Sequence, residues 1–174
     1  VESGHLPPLE RALDRMDELI DDLLTLARKG MRVEDVTEVD LVALAGDAWA
    51  TASTGAAALD IAPDRLRIRA DESRVRQVFE NLFRNSVEHA RRDATVTVGR
   101  LADGFYVEDD GPGIPDDDRE KLFDAGYSTS EEGTGFGLSI VKEIVTAHGW
   151  AVSATDADSG GARFEIVGVE FVAE

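Results

Sequence analysis

Leu6, Leu9, Leu13, Met16, Ile20, Leu23 and Ala27 recur at alternating steps of three and four residues. That spacing puts them on one side of a helix over residues 6–29, as the seam of a coiled coil or helix bundle. Leu19, Leu24 and Leu26 widen the stripe, which favours a bundle over a two-stranded coil. Pro7 and Pro8 fit a first helical turn, and Gly30 is a stop signal. Such a helix cannot bury its stripe alone. It needs a partner helix or a second copy of itself.

The pattern then changes. Residues 31–40 (MRVEDVTEVD) read as a polar linker or short edge strand, and Leu41 to about Thr51 as an apolar helix containing Trp49. Residues 57–62 and 66–70 read as strands. In the second, Arg65, Arg67 and Arg69 alternate with Leu66 and Ile68 at period two. Asp71 caps an expected helix over 72–90. Residues 95–101 and 105–108 form a hairpin across 102–104, Leu138–His148 is a helix closed by Gly149, and 150–155 with 162–169 form a last hairpin around SGG. Helices and strands mix without strict alternation. The expected class is α+β, a two-layer sandwich of helices on one face of a mixed sheet, preceded by one long helix.

Candidate chemistry concentrates between residues 79 and 141. DDGPGI (Asp109–Ile114) and GTGFGLSIV (Gly133–Val141) are glycine-rich, and a polar segment containing Phe123 joins them. Gly111 and Gly113 remove side chains where backbone and ligand approach closely. Gly133, Gly135 and Gly137 precede a helical stretch whose first N–H groups attract anions. The pattern is neither a Walker loop nor a dinucleotide fingerprint. Upstream, FENLFRNSVEHA places Asn81 and Asn85 four residues apart on one helix face, with carbonyl oxygens suited to Mg²⁺. Taken singly, each glycine element also reads as an ordinary turn, and the asparagines as surface polar residues.

In combination and in this order, the motifs resemble those of the ATP-binding catalytic domain of sensor histidine kinases, within the Bergerat-fold ATPases. The resemblance runs from about Asp35 to the C-terminus. Asn81 and Asn85 match the asparagine box, and Asp109, Gly111 and Gly113 the first glycine box. Phe123 matches the phenylalanine box, and Gly133, Gly135 and Gly137 the second glycine box. The resemblance implies Asn85 as principal Mg²⁺ ligand with Asn81 assisting, and Asp109 as acceptor for the adenine amino group of ATP. It also implies His89, Ile114, Thr134 and Leu138 as further nucleotide contacts, with a lid over residues 115–132. A carboxylate only accepts hydrogen bonds, so Asp109 would reject a guanine carbonyl.

The same resemblance divides the chain into 1–30, a helix of the dimerisation and phosphotransfer hairpin, 31–39, a linker, and 40–174, the catalytic domain. It implies a homodimer through the N-terminal helix and a response-regulator receiver domain as partner. It places the domain in the cytoplasm, with any membrane attachment through missing N-terminal regions. The acceptor histidine is expected on a first helix absent from this chain. His5, followed by Leu-Pro-Pro, reads as a hairpin-turn residue, and His148 lies inside the catalytic domain. Hydrolysing relatives carry a glutamate where this chain has Asn81. Glu80 is turned about 100° from it on a helix and is expected to point elsewhere. Phosphoryl transfer is thus preferred to hydrolysis. A serine kinase and a non-catalytic adaptor are the alternatives. No Arg or Lys lies between Phe123 and Gly133, so phosphate contacts are expected from Lys121, Arg119, Thr129, Thr134 or another chain.

Composition narrows the rest. A formal charge of −18 over 174 residues disfavours nucleic acid as a partner. Lys29, Lys121 and Lys142 are the only lysines. Acid-rich, lysine-poor chains resemble proteins of salt-loving organisms, and the fold is expected to need salt to screen its self-repulsion. No cysteine is present, and the three histidines are too scattered for a zinc site.

Overall fold

The computed structural model describes residues 6–27, 33–52, 56–89, 93–124 and 136–173. The apolar-striped segment is the helix α1 (Leu6–Ala27). The expected continuation to residue 29 and the stop at Gly30 lie outside the described residues. Leu9, Leu13, Met16, Ile20, Leu23 and Leu24 are between 45% and 60% exposed, so the stripe faces away from the rest of the chain.

The remaining elements are β1 (Val36–Asp40), α2 (Leu41–Thr51), β2 (Ala58–Ile61), β3 (Arg67–Asp71), α3 (Glu72–His89), β4 (Thr95–Leu101), β5 (Gly104–Asp109), α4 (Gly137–Ala147), β6 (Ala151–Asp156) and β7 (Ala162–Val167). A short 3-10 turn spans Asp116–Asp118. Strands pair in the order β2-β4-β5-β7-β6, parallel between β2 and β4 and antiparallel elsewhere. Val36–Asp40, expected as linker or edge strand, is a strand that pairs antiparallel with β3 in a separate two-stranded sheet.

Side-chain alternation fixes which face of the large sheet is covered. Phe105 and Val107 of β5, Val96 and Val98 of β4, and Phe164 and Ile166 of β7 are buried beneath α2, α3 and α4. The opposite face is polar. There the Arg163 guanidinium lies 3.8 Å from the Tyr106 ring centroid and pairs with Glu108 at 3.4 Å and Glu165 at 3.0 Å. On the helix side Phe79 stacks on Phe83 at 5.5 Å and tilts against Phe105 at 5.6 Å, and Trp49 meets Phe83 edge-on at 5.2 Å. These contacts seat α3 along the middle of the sheet.

Local chemistry sets the helix ends. The Asp40 carboxylate accepts from the Ala43 N–H at 3.1 Å and starts α2. Asp71 does the same for α3, accepting from the Ser73 hydroxyl at 3.0 Å and the Arg74 N–H at 3.4 Å. Gly149, at φ +81°, ends α4. The Trp150 N–H reaches back to the Val145 carbonyl and the Gly149 N–H to that of Thr146. No helix among the described residues is long and apolar enough to cross a membrane.

Candidate functional site

Asp109 ends β5 in the middle of the sheet, with only 5% of its surface exposed. Its Oδ1 accepts from the Gly111 N–H at 3.0 Å and the Ala162 N–H at 3.2 Å. Among the described residues both hydrogen bonds to this carboxylate fall on Oδ1, which leaves Oδ2 for a ligand. The surrounding backbone is tightly layered. A Cβ on Gly161 would sit 1.9 Å from the Asp109 carbonyl oxygen. Gly113 takes φ +82°, and a Cβ there would lie 2.5 Å from the Gly160 carbonyl oxygen. The SGG turn, legible only as a turn in the sequence, therefore clamps the first glycine box from outside. Nothing in the spacing links residues 160 and 161 to residue 109.

A hollow of about 60 Å³ opens beside Asp109. Asn85 of α3 lines it from across, and Gly113, Ile114, Leu122 and Phe164 form walls. Phe123 packs edge-on against Phe164 at 6.3 Å and supports that wall. The Asn85 side chain makes no hydrogen bond among the described residues. The hollow is smaller than the roughly 300–1,000 Å³ of ordinary small-molecule pockets. Residues 125–135, which include the site candidates Gly133, Thr134 and Gly135, lie outside the described residues. His89 is the last residue of α3, and its side chain also falls outside the description.

Asn81 does not join Asn85 in that hollow. It is 4% exposed, its amide donates to the Gln77 carbonyl at 2.9 Å, and its Oδ1 accepts from Arg84 Nη2. It lines a second, wider cleft of about 460 Å³ between α3 and α1, with Glu18, Asp22, Gln77, Glu80 and Arg84. Glu80 was expected to point away from Asn81, yet it lines the same cleft. The helical stripe 77, 80, 81, 84, 87, 88 all faces α1, and a cleft this wide spans the angle between neighbouring residues. Asn81 also marks the start of α4, since a Cβ on Gly137 would lie 3.3 Å from its Oδ1. Phe136 precedes α4 without a side-chain cap hydrogen bond, and the first N–H groups of a helix attract anions. Leu138, 8% exposed, anchors this turn in the core.

Of the basic residues expected at phosphate, Arg119 is engaged elsewhere. It bonds Asp116 at 3.0 Å and Asp156 at 2.6 Å. Lys121 is exposed. Arg84 and Asp22 went unnoticed in the sequence. The available signal was the three-residue spacing from Asn81 to Arg84, and an acidic face on α1 away from its apolar stripe.

Among the described residues no group of three His, Asp or Glu side chains could hold a metal ion. The oxygen donor on offer beside Asp109 is the Asn85 amide, while Asn81 Oδ1 lies in the other cleft and is held by Arg84. A single amide oxygen fits Mg²⁺, which binds through few protein oxygens and completes its shell with water and phosphate.

His148 sits away from both hollows. Its Nε2 accepts from the Asp71 N–H at 3.1 Å, its Nδ1 donates to the Ile144 carbonyl at 2.8 Å, and its ring stacks on Trp150 at 4.2 Å. Both nitrogens are occupied in joining α4 to the start of α3.

The profile of the histidine kinase-, DNA gyrase B- and HSP90-like ATPase family matches residues 70–170. The chain belongs to this family. Among curated relatives it is 30% identical to the sensor histidine kinase ZraS of Klebsiella oxytoca, over 90% of this chain and 36% of the relative. It is also 30% identical to the sensor histidine kinase CpxA of Escherichia coli strain K12, over 95% of this chain and 39% of the relative. The chain thus spans between a third and two fifths of the length of these relatives. Among solved structures it is similar to full-length ShkA in complex with AMPPNP, with TM-score 0.77 and 27% identity, covering 98% of this chain and 39% of that one. The catalytic domain of histidine kinase ThkA superposes with TM-score 0.65 at 26% identity, over 76% of this chain and 94% of that one.

Proposed function

We propose that this chain carries the ATP-binding kinase core of a two-component sensor histidine kinase. In this reading residues 40–174 bind ATP, and α1 is the second helix of a dimerisation and phosphotransfer hairpin. The observation that carries it is the hollow shared by Asn85 and Asp109. A carboxylate that only accepts hydrogen bonds faces an amide whose oxygen suits a hard cation, on elements brought together by the core.

Each group has a task in transfer of the γ-phosphoryl group. Asp109 accepts from the adenine amino group, and its own position is locked by the Gly111 and Ala162 amides. Ile114 and Leu122 exclude water around the base, and Phe123 braces the wall through Phe164. The first N–H groups of α4 hold phosphate oxygens. Asn85, with Asn81 assisting, would hold Mg²⁺, which supplies neutralisation of charge on the phosphates. A histidine nitrogen on the first helix of the phosphotransfer hairpin attacks the γ-phosphorus. The N–P bond forms as the bond to the β–γ bridging oxygen breaks, and ADP leaves. The acidic residue at the hydrolytic position of relatives is replaced here by Asn81, which favours transfer over attack by water. The outward stripe of α1 is the dimer seam, and a response-regulator receiver domain takes the phosphoryl group onward.

Calorimetry of the chain with ATP tests the first half of the reading. Binding in the micromolar to millimolar range that weakens when EDTA removes Mg²⁺ is expected. Radiolabelled ATP with a separately supplied histidine-bearing hairpin tests the second half. Absence of ATP binding at millimolar nucleotide would refute the proposal.

A further inference from the structure

Arg84 stands where three elements meet. It lies one turn along α3 from Asn81, and its Nη2 donates to Asn81 Oδ1. The same nitrogen is 3.9 Å from the Asp22 carboxylate of α1, whose side chain is only 8% exposed. A Cβ on Gly137, the first residue of α4, would lie 4.0 Å from it. It is therefore next to the start of α4, to which the phosphates are assigned.

The electrostatics of the cleft make this position consequential. Glu18, Asp21, Asp22, Glu80 and Glu88 line it, and Arg84 is the one basic side chain among the described lining residues. For a polyphosphate, Arg84 is thus the one attracting side chain among the described lining residues. Arg119 is spent on Asp116 and Asp156, and the segment between Phe123 and Gly133 contains no Arg or Lys. A guanidinium matches two phosphate oxygens at once, a fork that the Asp22 carboxylate at 3.9 Å does not fill.

We propose that Arg84 is the phosphate-contacting cation of the nucleotide site, held by Asp22 and Asn81 until a polyphosphate draws it away. This rests on the reading that the Asn85–Asp109 hollow takes the adenine of ATP. Two consequences follow from the geometry. Phosphates and Asp22 compete for one guanidinium, so ATP loosens α1 from α3. By reciprocity, weakening the grip of α1 on Arg84 strengthens ATP binding by the same factor. The release of Asn81 Oδ1 by Arg84 also frees that oxygen at the moment a metal-bound phosphate arrives.

Calorimetry on the whole chain with ATP and with AMP, in excess Mg²⁺, tests the proposal. Arg84→Gln should weaken ATP by about tenfold or more, the worth of a charge-assisted hydrogen bond, and AMP by less than about twofold. Asp22→Asn should tighten ATP and leave AMP unchanged. Arg84→Lys, keeping the charge without the fork, should fall between wild type and Arg84→Gln. Thermal melts identify any variant that fails to fold, and Arg84→Lys then carries the comparison. Equal ATP affinity in wild type and Arg84→Gln would overturn the proposal. Equal losses for ATP and AMP would overturn it too, by showing that Arg84 only holds the fold. So would an Asp22→Asn variant that binds ATP no more tightly. A wild-type chain that binds neither nucleotide would instead defeat the nucleotide reading itself, before any variant is compared.

Discussion

The two sides of α3 face different solvents. On one side Asn85 looks into a small hollow walled by Ile114, Leu122 and Phe164, with Asp109 as the one carboxylate among its described lining residues. On the other, Asn81 looks into an open cleft whose described lining holds five acids, one arginine and the flank of α1. Two asparagines four residues apart thus serve two environments, and the boundary between them runs along the helix. The apolar hollow suits a flat base whose few polar atoms must be matched one by one. The charged cleft suits groups that carry charge and have to move, such as phosphates and an incoming helix. One helix can hold both because its third face, Val75, Val78, Phe79, Leu82 and Phe83, is locked into the core.

That contrast can be broken most forcefully from the core. Phe79→Ala removes a fully buried ring packed on Phe83 and Phe105, and should destabilise the chain by about 3–5 kcal/mol. Gln77→Ala, on the cleft side of the same helix, should cost less than about 0.5 kcal/mol. Urea unfolding followed by circular dichroism measures both, and equal losses would mean that α3 has no such division of faces.

The hollow is sharpened by removing its metal-suited group. Asn85→Ala should weaken Mg²⁺-dependent ATP binding by about tenfold, roughly 1.4 kcal/mol, with little change in the melting temperature. Titrations at fixed ATP and varied Mg²⁺ would show it. An unchanged Mg²⁺ dependence would move the metal to Asn81.

A smaller effect concerns the joint that holds α4 against α3. Burial, the largest cause, pushes the His148 imidazole below its ordinary pKa of 6.5, and Arg74 adds to this. The Ile144 carbonyl and the Asp71 carboxylate pull the other way without reversing it. The folded chain therefore prefers the neutral ring, whose Nε2 accepts from Asp71. This contribution is fully present above about pH 6.5 and is lost as pH falls through the depressed folded value. Melting temperatures between pH 7.5 and 5 should decline in the wild type, and the decline should be shallower in His148→Gln. Identical slopes would remove His148 from the joint.

Most of the fold was legible because period and punctuation agreed. The heptad stripe, the alternation of Leu66 and Ile68 with arginines, and the Asp71 and Gly149 helix ends all appear where the pattern puts them. Asp109, Gly113 and Asn85 were legible through motif spacing, and the structure brings these three together around one hollow. The split between Asn81 and Asn85 was not legible. A helix repeat says which residues share a face, and says nothing of a neighbour such as α1 that divides that face in two. Arg84 was hidden for a related reason. Its meaning comes from Asp22, 62 positions away in the chain, and from the emptiness of Gly137. The clamp of Gly160 and Gly161 on the first glycine box is likewise a long-range contact between two segments that each look like a turn.

The central claim is that the buried carboxylate at the end of β5 reads an adenine. Calorimetric titration of ATP into the wild type and Asp109→Asn, with GTP alongside, addresses it most directly. An amide at this position offers a donor where only an acceptor is wanted. The expected result is tighter binding of ATP than GTP by the wild type, and a loss of ATP affinity of about tenfold or more in Asp109→Asn. Equal ATP affinity in the two proteins, with both folded, would contradict the account.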